Sequence, residues 1–252
     1  MRLTNPGGGA APPDQATACA VLRRAVALGV DFIDTADTYG AGGCERLIAD
    51  ALHPYPDGLV IATKGGMLPD GRLDGTRENL RSACEASLER LRLETIDLYQ
   101  LHAVDPSVPL AESLGALAEL RAEGKIAEVG LSNVFPNDLP LARSIIPVVS
   151  MQNRYSLADR STEPVLDACE GEQLTFLPWF PLGDGTLARA DGPLASIAAA
   201  HGATCAQVAI AWLLQRSSVT LPIPGTSSMA HLEENVRAAA LRLTEDEMKM
   251  LG

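Results

Sequence analysis

The feature that most restricts the fold of this 252-residue chain is a repeated alternation of short apolar strands with amphipathic helices. Strand-like runs stand at 30–33, 59–63, 96–101, 126–131, 148–151, 174–177 and 219–221. The run Leu59-Val-Ile-Ala-Thr63 is continuously apolar, as a strand buried on both faces of a parallel sheet must be. Between the runs the apolar spacing turns helical. Val21, Leu22, Ala25, Val26 and Leu28 share one side of a helix that Gly29 ends, and a second helix runs over 44–52. Leu80, Cys84, Leu88 and Leu91 mark a third, and Leu110, Leu114, Leu117 and Leu120 a fourth that stops at Gly124. Shorter helices are expected over 139–145, 164–169 and 205–214, and Thr244 with Glu247 has capping-box spacing for one more. Strands alternating with helices at this length indicate a parallel sheet. Seven such units without a linker or composition break favour one domain over 1–252, a (β/α)₈ TIM barrel, which takes about 250 residues. No GxGxxG follows any strand, which argues against a doubly wound dinucleotide fold.

Bulk properties remove several classes of function. A net charge of −12 opposes a nucleic-acid partner, whose phosphates would be repelled over most of the surface. No apolar run approaches the roughly 20 residues of a membrane span, and the first residues lack the apolar core of a signal peptide. Five scattered cysteines without a CxxC read as reduced thiols and a cytoplasmic setting. Four histidines with no HxH or HExxH pair give no metal site, so a metal-dependent barrel hydrolase is disfavoured.

In a parallel barrel every strand's C-terminal end faces one mouth, where loops carry chemistry. Asp34 and Tyr39 follow the first run, Lys64 the second, His102 the third, Ser132 and Asn133 the fourth, and Gln152 the fifth. Trp179 follows the sixth and residues 222–228 the seventh. Each has a plain structural alternative: Asp34, Thr35, Asp37 and Thr38 are good helix caps, a lone histidine is commonly a satisfied buried imidazole, and a lone tryptophan is commonly core. One reactive set per strand end is harder to attribute to accident.

These residues sit in motifs that resemble the aldo-keto reductases along essentially the whole chain. Asp-Thr-Ala-Asp-Thr-Tyr-Gly (34–40), Thr-Lys-Gly-Gly (63–66), Asp-Leu-Tyr-Gln-Leu-His (97–102), Gly-Leu-Ser-Asn (130–133), Gln-Asn-Arg-Tyr (152–155), Pro-Leu-Gly (181–183) and Pro-Gly-Thr-Ser (224–227) occur in the family's order. The resemblance implies NAD(P)H-dependent reduction of an aldehyde or ketone to an alcohol, with a catalytic tetrad at Asp34, Tyr39, Lys64 and His102. In that assignment Tyr39 delivers the proton, Lys64 lowers the pKa of its phenol, Asp34 holds Lys64, and His102 orients the carbonyl. It also implies that Ser132, Asn133 and Gln152 hold the nicotinamide carboxamide and that Trp179 stacks on the ring. Pro181 and Leu182 join the cofactor site, Gly225, Thr226 and Ser227 form its phosphate turn, and Glu234 and Asn235 meet adenine. His231 falls where NADPH-preferring relatives carry arginine, so NADP is expected on family habit and NAD stays open. The expected partner is a small-molecule carbonyl substrate, on a monomer. The alternative from another class is a weakly catalytic nucleotide-sensing or scaffold subunit of the same family, against which the intact tetrad argues.

Two departures accompany the resemblance. Relatives place an N-terminal hairpin and a first barrel strand ahead of this chain's start, so Met1-Arg-Leu aligns only with the end of that strand. A start site upstream is the expected explanation, the alternative being a chain that lacks the strand and is unstable or inactive, and the strand carrying Asp34 is expected to lie at a sheet edge. The C-terminal tail is short as well, which implies an open pocket and a broad substrate range.

Overall fold

A computed structural model describes residues 14–252. The expected end of a first strand at residues 1–3 and the Gly/Pro-rich loop at 4–13 lie outside the described residues. Among those described, six strands run parallel in one sheet in simple sequence order, alternating with helices. This is the architecture of a (β/α)₈-barrel chain.

The described residues form two compact units, one running up to residue 151 and taking in 225–227, the other made of 152–224 with 228–252. The first unit carries α1 (Gln15–Ala27), β1 (Phe32–Asp34), α2 (Gly43–Leu52), β2 (Val60–Gly65), α3 (Arg77–Leu91), β3 (Ile96–Leu101), α4 (Leu110–Ala122), β4 (Ile126–Ser132) and α5 (Asp138–Ile145). The apolar stripe of α1 is buried as its spacing requires, through Ala18, Cys19, Val21, Leu22 and Ala25. Each fully buried valine or leucine contributes about 1.5–3 kcal/mol. Asp14 starts that helix by accepting a 2.8 Å bond from Thr17 N, and Gly29 follows it at φ +89°. Within the sheet, Asp34 pairs with Ala62, Lys64 with Gln100, and Gln100 with Gly130. That register fixes the relative heights of the polar groups at the strand ends. Among the described residues β1 is the first strand in the order and pairs with β2.

The second unit begins within β5 (Ser150–Arg154) and continues through α6 (Glu163–Glu172), β6 (Thr175–Trp179), α7 (Pro193–Ala200), α8 (Cys205–Arg216), α9 (Met229–Arg237) and α10 (Glu245–Leu251). Helix α8 is buried almost all round, from Ala206 through Leu213 with only Gln207 less so. The helix α7, absent from the sequence reading, is signalled by Gly192-Pro193, a Pro at the first helical position before a small apolar run. The capping box at Thr204 and Gln207 starts α8, and the one expected at Thr244 and Glu247 starts α10.

The seventh expected strand, 219–221, is reduced to one parallel bridge between Phe176 and Thr220. Phe176 N donates to Val219 O at 2.8 Å and Leu221 N to Phe176 O at 2.9 Å. Pro222 and Pro224 then remove the N–H groups that a longer ladder would use.

Gly65 at the end of β2 has a packing reason. A Cβ there would collide with the hydroxyl of fully buried Tyr99, whose Oη makes no hydrogen bond. Gly65→Ala is therefore expected to cost about 2–3 kcal/mol in urea unfolding, and Gly65→Ala with Tyr99→Phe to regain much of that loss. Equal stability of the single and double variants would refute this explanation.

Candidate active site

The site grows from the end of β1 and the loop behind it. Lys64, on the last turn of residues in β2, is 1% exposed and meets Asp34, itself 7% exposed, with Nζ 2.6 Å from Oδ2. Nζ also donates to Thr35 O at 2.7 Å, and Gln100 Nε2 donates to the other Asp34 oxygen at 3.0 Å. A buried ammonium persists only when paired and hydrogen-bonded, and these contacts supply both conditions. Tyr39 lies half-buried in the loop between β1 and α2, its ring centroid 5.4 Å from Lys64 Nζ. His102 follows β3, edge-on to Tyr39 with centroids 6.1 Å apart and planes at 80°. The four residues expected to form the tetrad are thus brought together in the first unit.

Their electrostatics follow from burial and from one another. Burial pushes the Lys64 ammonium toward neutrality, but the Asp34 carboxylate and the Tyr39 oxygen outweigh it, and the pKa stands above the ordinary lysine value. For Tyr39 the largest single influence is Lys64, which lowers its pKa as expected; burial and the Asp34 carboxylate together reverse the balance, leaving it above that of a free phenol. The pull expected of Lys64 is present, but burial first and the Asp34 carboxylate next offset it. Burial, with Lys64 next, depresses His102 from 6.5 to about 4, so its imidazole is neutral near pH 7. Its Nδ1 is sealed from solvent without a hydrogen bond, and its backbone N donates to Gly65 O at 2.9 Å.

The expected cofactor residues divide between the two units. In the first, Ser132 is buried at the end of β4. Asn133, next in the chain, takes φ +53°, a conformation asparagine tolerates better than most residues, and donates to His102 O at 2.9 Å and Ser132 Oγ at 3.1 Å. Gly225, Thr226 and Ser227 cluster with this unit. In the second unit, Gln152 is buried in β5 and Trp179 ends β6, with Pro181 buried and Leu182 half-buried just beyond. The Arg154 guanidinium lies 5.7 Å from the Trp179 ring centroid. His231, Glu234 and Asn235 lie on α9, whose first turn is capped by Ser228 Oγ accepting from His231 N at 3.4 Å.

Sequence reasoning missed Gln100 and the carbonyl of Thr35 as partners of the ion pair. Gln100 stands two residues before His102 and pairs with Lys64 across β2 and β3, from where its amide reaches Asp34. Glu45 also escaped notice. It is fully buried on α2 and binds Thr63 Oγ1 and Arg90 Nε, each at 2.6 Å. No spacing rule marks a carboxylate as buried before its cation is known.

Lys64→Met should leave the Asp34 carboxylate buried without its cation and cost about 3–5 kcal/mol, whereas Asp34→Asn combined with Lys64→Met should cost clearly less than the sum of the single variants. Urea denaturation of the four proteins measures this; additive losses would show that the pair does not act as a unit.

Comparison with known proteins identifies the family. The aldo/keto reductase family model matches residues 3–252. An uncharacterized oxidoreductase of Schizosaccharomyces pombe is 42% identical over 250 residues, covering 98% of this chain and 81% of that one. Pyridoxine 4-dehydrogenase of Escherichia coli is 40% identical over 261 residues, covering 100% of this chain and 91% of its own length. An aldo-keto reductase of Klebsiella pneumoniae in complex with NADPH superposes with a TM-score of 0.84 at 30% identity, over 94% of this chain and 84% of that one. With its family model spanning nearly every residue and its parallel strands in the family's order, the chain belongs to the aldo/keto reductase family.

Proposed function

We propose that this protein reduces small aldehydes or ketones to alcohols with a nicotinamide cofactor, Tyr39 serving as the proton donor. The carrying observation is the buried Asp34–Lys64 pair beside the Tyr39 phenol and a neutral His102. The cofactor supplies a hydride to the carbonyl carbon. As negative charge builds on the carbonyl oxygen, Tyr39 gives it the phenolic proton, and the Lys64 ammonium stabilises the phenolate left behind. Asp34 keeps Lys64 charged, and neutral His102 offers a ring nitrogen to the substrate oxygen. The raised phenol pKa suits this direction, because Tyr39 stays protonated throughout the neutral range.

The residues present suit a nicotinamide dinucleotide. Trp179 offers an indole face for stacking, as aromatic rings do at such sites. Ser132, Asn133 and Gln152 supply the amide and hydroxyl groups matching the family's carboxamide positions. Gly225, Thr226 and Ser227 carry backbone N–H and hydroxyl groups that suit phosphate oxygens, and the resemblance assigns Glu234 and Asn235 to adenine. NADP is the favoured form, supported by the NADPH in the Klebsiella pneumoniae relative. Exposed His231 makes the preference modest, because a neutral imidazole clamps a phosphate less firmly than a guanidinium.

Tyr39→Phe is expected to lower NADPH-dependent reduction by about 10²–10⁴-fold over a panel of aldehydes, ketones and α-dicarbonyls while leaving NADPH affinity nearly unchanged. Near-normal turnover by that variant would refute the assignment. His231→Arg should raise the ratio of kcat/KM for NADPH over NADH about tenfold. An unchanged ratio would remove His231 from the phosphate site.

A further inference from the structure

Behind the catalytic loop lies a largely buried charge cluster of which the proposed reaction uses only the Asp34–Lys64 pair. It holds three carboxylates, Asp34, Asp37 and Glu45, and two cations, Lys64 and Arg90. Two pairs are closed, Asp34 with Lys64 and Glu45 with Arg90, each at 2.6 Å. The other Glu45 oxygen accepts from Thr63 Oγ1. Arg90 is committed as well: its Nη2 donates to Ser87 Oγ at 3.1 Å, and its stem lies against Gly42, where a Cβ would stand 2.6 Å from Cδ. Asp37 is the carboxylate left over. Its Oδ1 is sealed from solvent and makes no hydrogen bond, and its backbone N donates to Lys64 O at 3.2 Å.

We infer that Asp37 is a positioning residue of the catalytic loop which carries the cluster's spare proton, and that loss of this proton makes Tyr39 a weaker acid. The inference rests on the reading of Tyr39 as proton donor. Charge counting is the first support: with Asp37 protonated the cluster is neutral, and with Asp37 ionised it holds one uncompensated negative charge in a poorly solvated place. Burial, and next the Glu45 carboxylate, raise the Asp37 pKa from 3.8 to about 7, against the pull of Thr38 N, Arg90 and Lys64. The groups facing Asp37 are Glu45 from α2, Arg90 from α3, Lys64 from β2 and Tyr99 from β3, with Cys84 of α3 behind Tyr99. An ionised Asp37 adds negative charge beside Lys64, as Asp34 already does, and so weakens the field that favours the Tyr39 phenolate. The loop geometry transmits position as well as charge, because Tyr39 stands two residues beyond Asp37 and its carbonyl accepts from Cys44 N at 3.2 Å.

The sign for stability is fixed by linkage. A carboxyl whose folded pKa lies above its unfolded value binds its proton more tightly in the fold, so its contribution declines as pH rises from about 4 through about 7. Asp37→Asn keeps the shape and stays neutral. Relative to the native protein it should therefore gain stability between pH 5 and pH 8.5, read as a urea midpoint difference that grows with pH. It should also move the rising limb of the pH profile for alcohol oxidation, which needs the Tyr39 phenolate, to lower pH by about half to one unit. Glu45→Gln, which removes the like charge, should shift the native stability decline to lower pH and covers the case in which Asp37→Asn folds poorly. A midpoint difference independent of pH, or an oxidation profile unmoved in Asp37→Asn, would overturn the inference. The stability arm uses no substrate, so it separates the two readings. Failure of Tyr39 as proton donor would appear as turnover in Tyr39→Phe, with the pH-dependent stability of Asp37→Asn intact.

Discussion

The Asp34–Lys64 ion pair is the interaction on which the rest of the site depends. Lys64 is almost wholly removed from water, and an ammonium in that position stays charged only because a carboxylate and a carbonyl complete its coordination. That fixed charge acts on both ring groups beside it. It depresses His102 after burial does, and it exerts the largest single pull on the Tyr39 phenol. The same carboxylate that keeps Lys64 charged blunts its effect on Tyr39. The phenol is therefore held protonated beside a fixed cation.

The fold supplies the geometry through strand register. Pairing of Lys64 with Gln100 across β2 and β3 places an amide beside Asp34, and Gly130 on β4 leaves the room that Gln100 and Ser150 fill. Behind the strands, the Glu45–Arg90 pair ties the start of α2 to α3, and through Thr63 to the strand carrying Lys64. Tyr39 sits in the loop between β1 and α2, so its position depends on both pairs. The arrangement explains how a short surface loop can hold the Tyr39 phenol in place: its two ends are fixed by buried charges rather than by loop contacts alone.

Much of this was legible in the sequence, and the parts that were not share a cause. The alternation of runs located all six strands and most helices among the described residues, because burial of a parallel sheet on both faces demands continuous apolar runs. The ordered motifs brought the four tetrad residues to notice together, and the structure does place them within reach of one another. Two kinds of feature stayed hidden. The strand over 219–221 shrank to a bridge because pairing depends on a neighbour and on N–H groups that the following prolines lack. The charge balance around Asp37 and Glu45, and the sign of the Tyr39 shift, depend on three-dimensional proximity across α2, α3 and β2. Sequence spacing carries no such distances; Glu45 and Arg90 are separated by 45 positions and meet at 2.6 Å.

The most direct test of the central claim is the ionisation of Tyr39 itself, read as the ultraviolet difference titration of the native protein minus Tyr39→Phe in the absence of substrate. A phenol held protonated by burial and by Asp34 predicts a midpoint above that of a free tyrosine, and a fall in that midpoint when Asp34 is replaced by Asn in a protein that retains Lys64. A native midpoint at or below the free value would contradict the account, because Lys64 would then dominate and Tyr39 would rest partly as phenolate.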